Sequence, residues 1–478
     1  MFIAQFVAII PDKIRFRCQL YQHLGMFVFD AQLECFHGCI LTNVLPKLTL
    51  RDTDQRLVRR YNLLVSQHMT AAPMLASAIK DLASTQRTSF ATTQAVWRFL
   101  KNDRISFQQL NQPIETIAIE QTAASLHQYA LVVHDWSSVR YTKHSNKLNR
   151  LERKHQYHSG YDLQSSLLVD AQHGLPIAPL SQTLGDAIGR HCTFADEMTE
   201  KATHLNALLE QIDHIESLPI EKTLVHIIDR EGDSIAHQRL LNEKGYQFLI
   251  RGKEANTVEY QGKILKIEDV SAQVPTQEVK QIQYKGAIAY LHVGETSIHI
   301  IRSAKPKTLD HQGKRVLPQV GDPLHLRLIV AVVTDHAGKT LARWSLLSNV
   351  SYEIDSVELS RWYYWRWTIE SYFKLLKQAG YDLESWLQTT PQAILRRLLI
   401  VSMACVLIWR IQRAQDEQSL RVRAFLTRLS GRQQKRNRVE SAPSLLAGLS
   451  ILLNSLQLLT EYSETELKVM ARMAIGYS

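Results

Sequence analysis

Apolar residues recur at roughly helical spacing from Asp52 to Leu82, and a Ser/Thr-rich break at Ser84, Thr85, Thr88 and Ser89 follows. A second helical stretch runs through TTQAVWRFLKN and RISFQQL. Together they predict a small helical domain over 49–118. Residues 1–48 fit no pattern and read either as a poorly ordered leader or as extra residues from an upstream start. At His127 the period changes. YALVVHD is a short apolar run ending in an acid, the look of a buried strand. QSSLLVDAQHGLPIAPLSQTL predicts two strands joined by a turn around His173-Gly174, and Asp196 to Ile215 predicts a helix. TLVHIID is a second apolar run ending in an acid; the turn-like REGD and another strand, GYQFLIRG, follow. This alternation indicates an α/β core over 119–390. From about Lys253 to Val350, Val, Ile, Thr and Tyr alternate with polar residues, which predicts a mostly β insertion. After Asp355 one long helix is expected to reach Gly380, with Glu358 completing a capping pattern. Residues 391–478 read as further helices.

Length and charge narrow the class. A chain of 478 residues exceeds one core, so roughly two to four units are expected. The net charge of +10 points to a polyanionic partner, most often nucleic acid, although a basic but unrelated enzyme would look the same. Five scattered cysteines fit a reducing compartment. Cys35, His37 and Cys39 invite a zinc reading, but a structural site needs four ligands and no second pair is suitably spaced. The opening MFIAQFVAII lacks the basic flank of a signal peptide. Leu398 to Trp409 is well short of the roughly 20 apolar residues a membrane span needs, so it reads as a buried helix. A cytoplasmic protein with no membrane partner is expected.

Within RWYYWRWTIESYFKLLKQAG, Tyr363, Arg366, Glu370 and Lys377 fall on one helical face. Trp365, Ile369, Tyr372, Phe373 and Leu376 form a second, largely apolar one. Alone, the polar stripe is better read as a solvated face with an Arg366–Glu370 ion pair. Its company changes the reading. Asp135 and Asp229 each end an apolar strand-like run, and adjacent strands would bring both acids to one sheet edge. Carboxylates that close need a cation between them. Mg²⁺, a hard ion preferring oxygen, is the natural candidate, with Glu370 completing the cage. Two such ions support phosphodiester cleavage and joining. A single strand-end aspartate is more often a turn residue; three such acids together are less so.

HDWSSVRY, IIDREGDS and YYWRWTIESYFKLLK resemble the catalytic segments of bacterial cut-and-paste DDE transposases of the transposon-five type, the insertion-sequence-four family. Tyr363, Arg366, Glu370 and Lys377 meet its Y-x2-R-x3-E-x6-K signature, and Asp229 to Asp233 is close to its D-R-E-A-D. The resemblance covers roughly residues 85 to 412. It implies an RNase H-like catalytic core interrupted by a mostly β insertion, with helical N-terminal and C-terminal domains. It implies Asp135, Asp229 and Glu370 as ligands of two Mg²⁺, with Mn²⁺ as a substitute. Tyr363, Arg366 and Lys377 would contact the transposon end, with Arg230 helping to hold DNA. Trp344 matches a tryptophan that stacks on a flipped base, and a core tryptophan is an equal alternative. Gln94 to Asn102 resembles a segment of an end-binding helical domain, with Trp97 in place of tyrosine and Arg98 as a phosphate contact or a plain surface arginine. Asp135 is followed by Trp136-Ser137-Ser138 where the family has D-T-T, which puts the local geometry in question. Arg432, Lys435, Arg436 and Arg438 form a basic run that is either a DNA contact or a solvated linker.

The resemblance implies a homodimer that nicks double-stranded DNA at inverted repeats. The freed 3′-hydroxyl would form a hairpin, which is reopened before joining to target DNA. In a bacterial cell such an enzyme would sit on the nucleoid when bound. The alternatives are an inactive transposase-derived repressor, or another RNase H-like nuclease such as a junction resolvase.

Overall fold

The computed structural model describes residues 47–70, 94–152, 159–284, 287–304, 318, 320–432 and 439–475. The Cys35–His37–Cys39 cluster, the expected helix beyond Thr70, and Lys435, Arg436 and Arg438 lie outside them. The chain forms two compact units. One comprises 1–115, 139–160 and 373–478; the other comprises 116–138 and 161–372.

The second unit is built on one mixed sheet. Its strands are β1 (Tyr129–Arg140), β2 (Gly160–Asp170), β3 (Pro176–Gly185), β4 (Arg190–Cys192), β5 (Thr223–Ile228) and β6 (Gln247–Arg251). They continue as β7 (Thr257–Tyr260), β8 (Lys263–Lys266), β9 (Gln277–Tyr284), β10 (Ala287–Ile300), β11 (Leu324–Thr334) and β12 (Thr340–Ser348). The order is β4-β3-β2-β1-β5-β6-β12-β11-β10-β7-β8, with β9 on β10. β1, β5 and β6 are parallel. The β2–β3 pair is an antiparallel hairpin at the expected turn. Parallel strands are covered on both faces, and Leu131, Val132, Val133, Val225, Ile227 and Ile228 are fully buried as their continuous apolar runs require. A mixed α/β architecture of this kind is consistent with an RNase H-like fold. The described residues between 257 and 348 form six strands and the short helix Ile267–Gln273. They extend the same sheet, because β12 pairs with β6 through Leu347 and Ile250.

Buried polar side chains tie the central strands together. Ser166 on β2 donates to Gln211 Oε1 at 2.8 Å and meets His134 Nδ1 at 2.8 Å. His134 Nε2 lies 2.9 Å from His226 Nδ1 on β5, and His226 Nε2 lies 2.8 Å from Glu216. Each group left without such a partner would carry a desolvation cost of about 1–3 kcal/mol.

The expected single helix from Asp355 to Gly380 is instead two helices, Ser356–Tyr364 and Trp367–Lys374, followed by a wide turn over Leu375–Ala379. Asp355 caps the first by accepting from Glu358 N at 2.7 Å. The Glu358 carboxylate completes no capping box; it takes the Arg361 guanidinium and Trp362 Nε1. The break is a local tightening. Arg366 N donates to Tyr363 O, and Thr368 N to Trp365 O, each three residues back. The β2–β3 turn grips this break. Trp362 Nε1 donates to Ala171 O at 3.3 Å and Thr368 Oγ1 to Gly174 O at 3.1 Å. Gly174, at φ +72°, faces the Trp365 ring so closely that a Cβ would lie 2.4 Å from it.

In the other unit the helix Gln55–Thr70 packs on Pro391–Arg413 and Ala442–Glu461. Helices from the expected N-terminal and C-terminal segments therefore share one unit. The apolar run Leu398–Trp409 is buried, and among the described residues no helix is long and apolar enough to cross a membrane.

Two buried histidines make acid lability a testable property. Burial pushes His68 down to about 3, helped by Arg397 and opposed by its bond to Leu64 O. Burial pushes His237 down to about 4, helped by His226. Both folded values lie below the unfolded one, so their stabilisation is intact above about pH 6.5 and is lost as pH falls towards 4. Unfolding free energy should fall from pH 7 to 5. In His237→Leu the slope should be shallower by up to about 1.4 kcal/mol per pH unit. Chemical denaturation across pH measures it; an unchanged slope contradicts the neutral buried histidine.

Candidate active site

Parallel register places two acids at one edge of the sheet. Val133 on β1 pairs with Ile227 on β5, and Asp135 and Asp229 each lie two residues further on. With a side-chain period of two, both project to the same face as that pair, from strands about 4.8 Å apart. His134 is buried beneath, whereas the Asp135 side chain keeps 19% of its exposure. Its Oδ1 accepts from the Trp136 amide at 2.8 Å. Asp229 caps the 3-10 turn Arg230–Gly232 by accepting from Glu231 N at 2.8 Å. Gly232 permits that turn, because a Cβ there would meet Ile228 Cγ2 at 2.5 Å.

Arg366 joins the sheet edge to the helix. Its Nη1 donates to Asp135 Oδ2 at 2.9 Å, and its Nη2 to Glu370 Oε1 at 2.8 Å. Arg366 is itself only 9% exposed, and its guanidinium lies 5.2 Å from the Trp367 ring centroid. Burial pushes the Asp135 carboxyl up to about 6. Arg366 and the Trp136 amide oppose that rise, while Asp229 and Glu370 add to it. Asp135 thus feels both of the other acids. Among the described residues no three His, Cys, Asp or Glu side chains form a ready metal cage. The donor chemistry nevertheless fits a hard cation: three carboxylates with mutual repulsion, two of them bridged by an arginine. Arg366 would have to leave Asp135 and Glu370 for those oxygens to serve a metal.

The other predicted residues fall differently. Tyr363 is 4% exposed, its hydroxyl pushed up by burial against the pull of Arg366 and Arg251. Trp344 is 8% exposed on β12, with its ring 6.3 Å from that of Tyr363. Its face is therefore largely covered. Arg230 is exposed beside Asp229. Lys377 lies in the wide turn, 3.6 Å from Glu384, rather than on a continuous helical stripe with Glu370. Arg98 is exposed and bonds Gln94 at 3.4 Å. Trp136 does not crowd the acid: its ring packs on His204 at 4.8 Å.

Three supporting residues escaped sequence reasoning. Arg251 lies close enough to Tyr363 to oppose the rise of its hydroxyl. His134 is a polar residue inside an apolar strand, a signal that could have exposed the buried network. Asp233, the last acid of DREGD, is 6% exposed and accepts from Lys253 N at 2.5 Å, Asn256 at 2.7 Å and Gln238 at 3.0 Å. It fastens the Asp229 turn to the chain leaving β6.

No curated protein is similar enough to the chain to count as a match. A solved structure, a piggyBac transposase synaptic complex with hairpin DNA, is similar with a TM-score of 0.36 and 11% identity, over 89% of this chain and 76% of that one. The family model described as a transposase DDE domain matches residues 126–407, which include the strands and helices that carry Asp135, Asp229 and Glu370. With well over half its length matched, the chain belongs to the transposase DDE domain family and is a DNA transposase enzyme.

Proposed function

We propose that this transposase cuts the ends of a mobile element and joins them to target DNA, with Asp135, Asp229 and Glu370 as its catalytic acids. The observation that supports the reading is the Arg366 bridge between Asp135 and Glu370, with Asp229 near enough to raise the Asp135 carboxyl. The finer kinship is the transposon-five type, on the Tyr363, Arg366, Glu370, Lys377 signature. Divalent metal ions are general to DDE transposases. The three carboxylates would hold two Mg²⁺, which lower the pKa of an attacking water and stabilise the leaving oxygen. The chain's own part is positional. β1 and β5 fix two carboxylates rigidly. The helix Trp367–Lys374 brings the third on a backbone held by the β2–β3 turn. Arg366 is the natural group to move from the carboxylates to a DNA phosphate, because its planar fork suits either anion.

No covalent enzyme intermediate is needed, so Tyr363 serves as a DNA contact rather than a nucleophile. A hairpin intermediate comes with the transposon-five kinship; Trp344 would stack on a flipped base only if strand β12 uncovers it. Arg230, Lys377 and Arg98 complete the proposed DNA contacts. The homodimer of this reading would use the helix Glu464–Ala474, which buries none of its residues and exposes Val469, Met470 and Met473.

Cleavage of a duplex carrying the element's flanking ends tests the reading. Asp135→Asn and Glu370→Gln should bind ends but cut them slower by more than the ~100-fold that even supporting residues around a metal cost. Cutting at wild-type rate by Glu370→Gln would remove Glu370 from the site.

The Arg366 bridge gives a second expectation. Without DNA, Arg366→Gln should bind Mn²⁺ about tenfold more tightly than wild type, read by the EPR signal of free ion, because about 1.4 kcal/mol of competition is gone. The same variant should cut poorly. Unchanged or weaker Mn²⁺ binding would show that the guanidinium does not stand in the cation's place.

Gly174→Ala should be destabilised by about 1–3 kcal/mol through overpacking at Trp365. It should also lose cutting without losing fold, measured by thermal melting beside cleavage. Full activity would separate the turn from the site.

A further inference from the structure

The unit formed by 1–115, 139–160 and 373–478 holds a cleft of about 410 Å³, lined by Arg140, Thr142, Lys143, His144, Glu384 and Ser385. Its walls are fixed from behind. The Arg140 amide donates to Glu384 Oε1 at 2.9 Å, and the Tyr141 hydroxyl to Leu383 O at 2.8 Å. The buried Lys147 ammonium donates to the carbonyls of Trp386 and Gln388, each at 2.5 Å, and sits 4.0 Å from the Tyr141 ring centroid. Arg150 donates to Tyr141 O at 3.3 Å.

The charge is one-sided. Elsewhere in this unit two buried arginines are matched by acids, Arg396 by Asp103 at 3.0 Å and Arg423 by Glu440 at 3.2 Å. Arg140 and Lys143 are exposed, and among the described residues neither side chain has an acidic partner. The one lining acid, Glu384, is already engaged by Lys377 at 3.6 Å. Burial pushes His144 down, and Lys147 and Arg150 push it further. Burial likewise pushes Lys377 down, with Arg140 adding to the effect. A rigid cleft with a surplus of cations and a free hydroxyl at Thr142 is shaped for phosphate oxygens. No Phe, Tyr or Trp is among its lining residues, and the His144 ring is set edge-on against Tyr141 at 5.7 Å, so the cleft would read backbone and not sequence.

We infer that the cleft lined by Arg140, Thr142, Lys143 and His144 is a binding site for the phosphodiester backbone of duplex DNA, separate from the carboxylate centre. The identity of the polyanion rests on the DNA-cutting reading; the site rests on its own geometry. Each phosphate neutralised by a cation releases a counterion and steepens the salt dependence by about 0.9.

The test is a salt titration of full-length protein on a duplex of arbitrary sequence, in EDTA so that nothing is cut. Arg140→Gln/Lys143→Gln should flatten the slope of log K against log salt by about 1.8 and weaken binding severalfold at moderate salt. Thermal melting confirms that the variant is folded. If it is not, Lys143→Glu alone replaces it, with the same direction expected. Inorganic phosphate, which offers the same oxygens, should displace the duplex from wild type better than chloride at the same ionic strength, and Arg140→Gln/Lys143→Gln should lose that preference; a preference that survives in the variant would overturn the proposal. An unchanged slope would overturn it too. End cutting is scored separately: a flattened slope without cutting leaves the cleft standing while the function falls, and cutting with an unchanged slope does the reverse.

Discussion

Carboxylates set side by side on rigid strands repel one another, and a protein that keeps them must supply positive charge nearby. Here β1 and β5 run parallel and in register, so Asp135 and Asp229 cannot drift apart, and the helix adds Glu370 to the same neighbourhood. The guanidinium of Arg366 answers that repulsion with one bond to the sheet and one to the helix. Much of the surrounding structure serves this arrangement. The His134–His226 contact locks the two strands beneath the acids, and Asp233 fastens the turn that follows Asp229. Under the proposed function, the same arginine would have to leave both carboxylates before their oxygens could serve a metal.

The strands and the acids at their ends were legible because burial on both faces leaves an unbroken apolar run, and its end is marked by the first carboxylate. YALVVHD and TLVHIID show this directly. The hairpin at His173-Gly174 was legible through its glycine. The two-helix form of Asp355–Gly380 was not. Helical periodicity continues through Trp365 and Arg366, and the tightening there arises from a turn almost two hundred residues earlier in the chain, as the separation between Trp362 and Ala171 records. The consequence is large for Lys377, which the continuous helix would have aligned with Glu370 and which the wide turn directs to Glu384.

Other misjudged environments have the same origin. Tyr363 and Arg366 read as members of one helical face, and both are buried, since local spacing says which residues share a face but not what covers it. The Asp233 network was hidden because its partners Lys253 and Asn256 belong to a different turn. The buried histidines were hidden inside apolar runs. In each case the sequence shows the residue but not its partner.

The β2–β3 turn holds the helix break chiefly through two main-chain carbonyls, those of Ala171 and Gly174. A carbonyl offers the same acceptor whatever side chain follows it. That grip therefore depends on the number of residues between β2 and β3: a single insertion would move an acceptor out of reach and tilt the helix that carries the third acid.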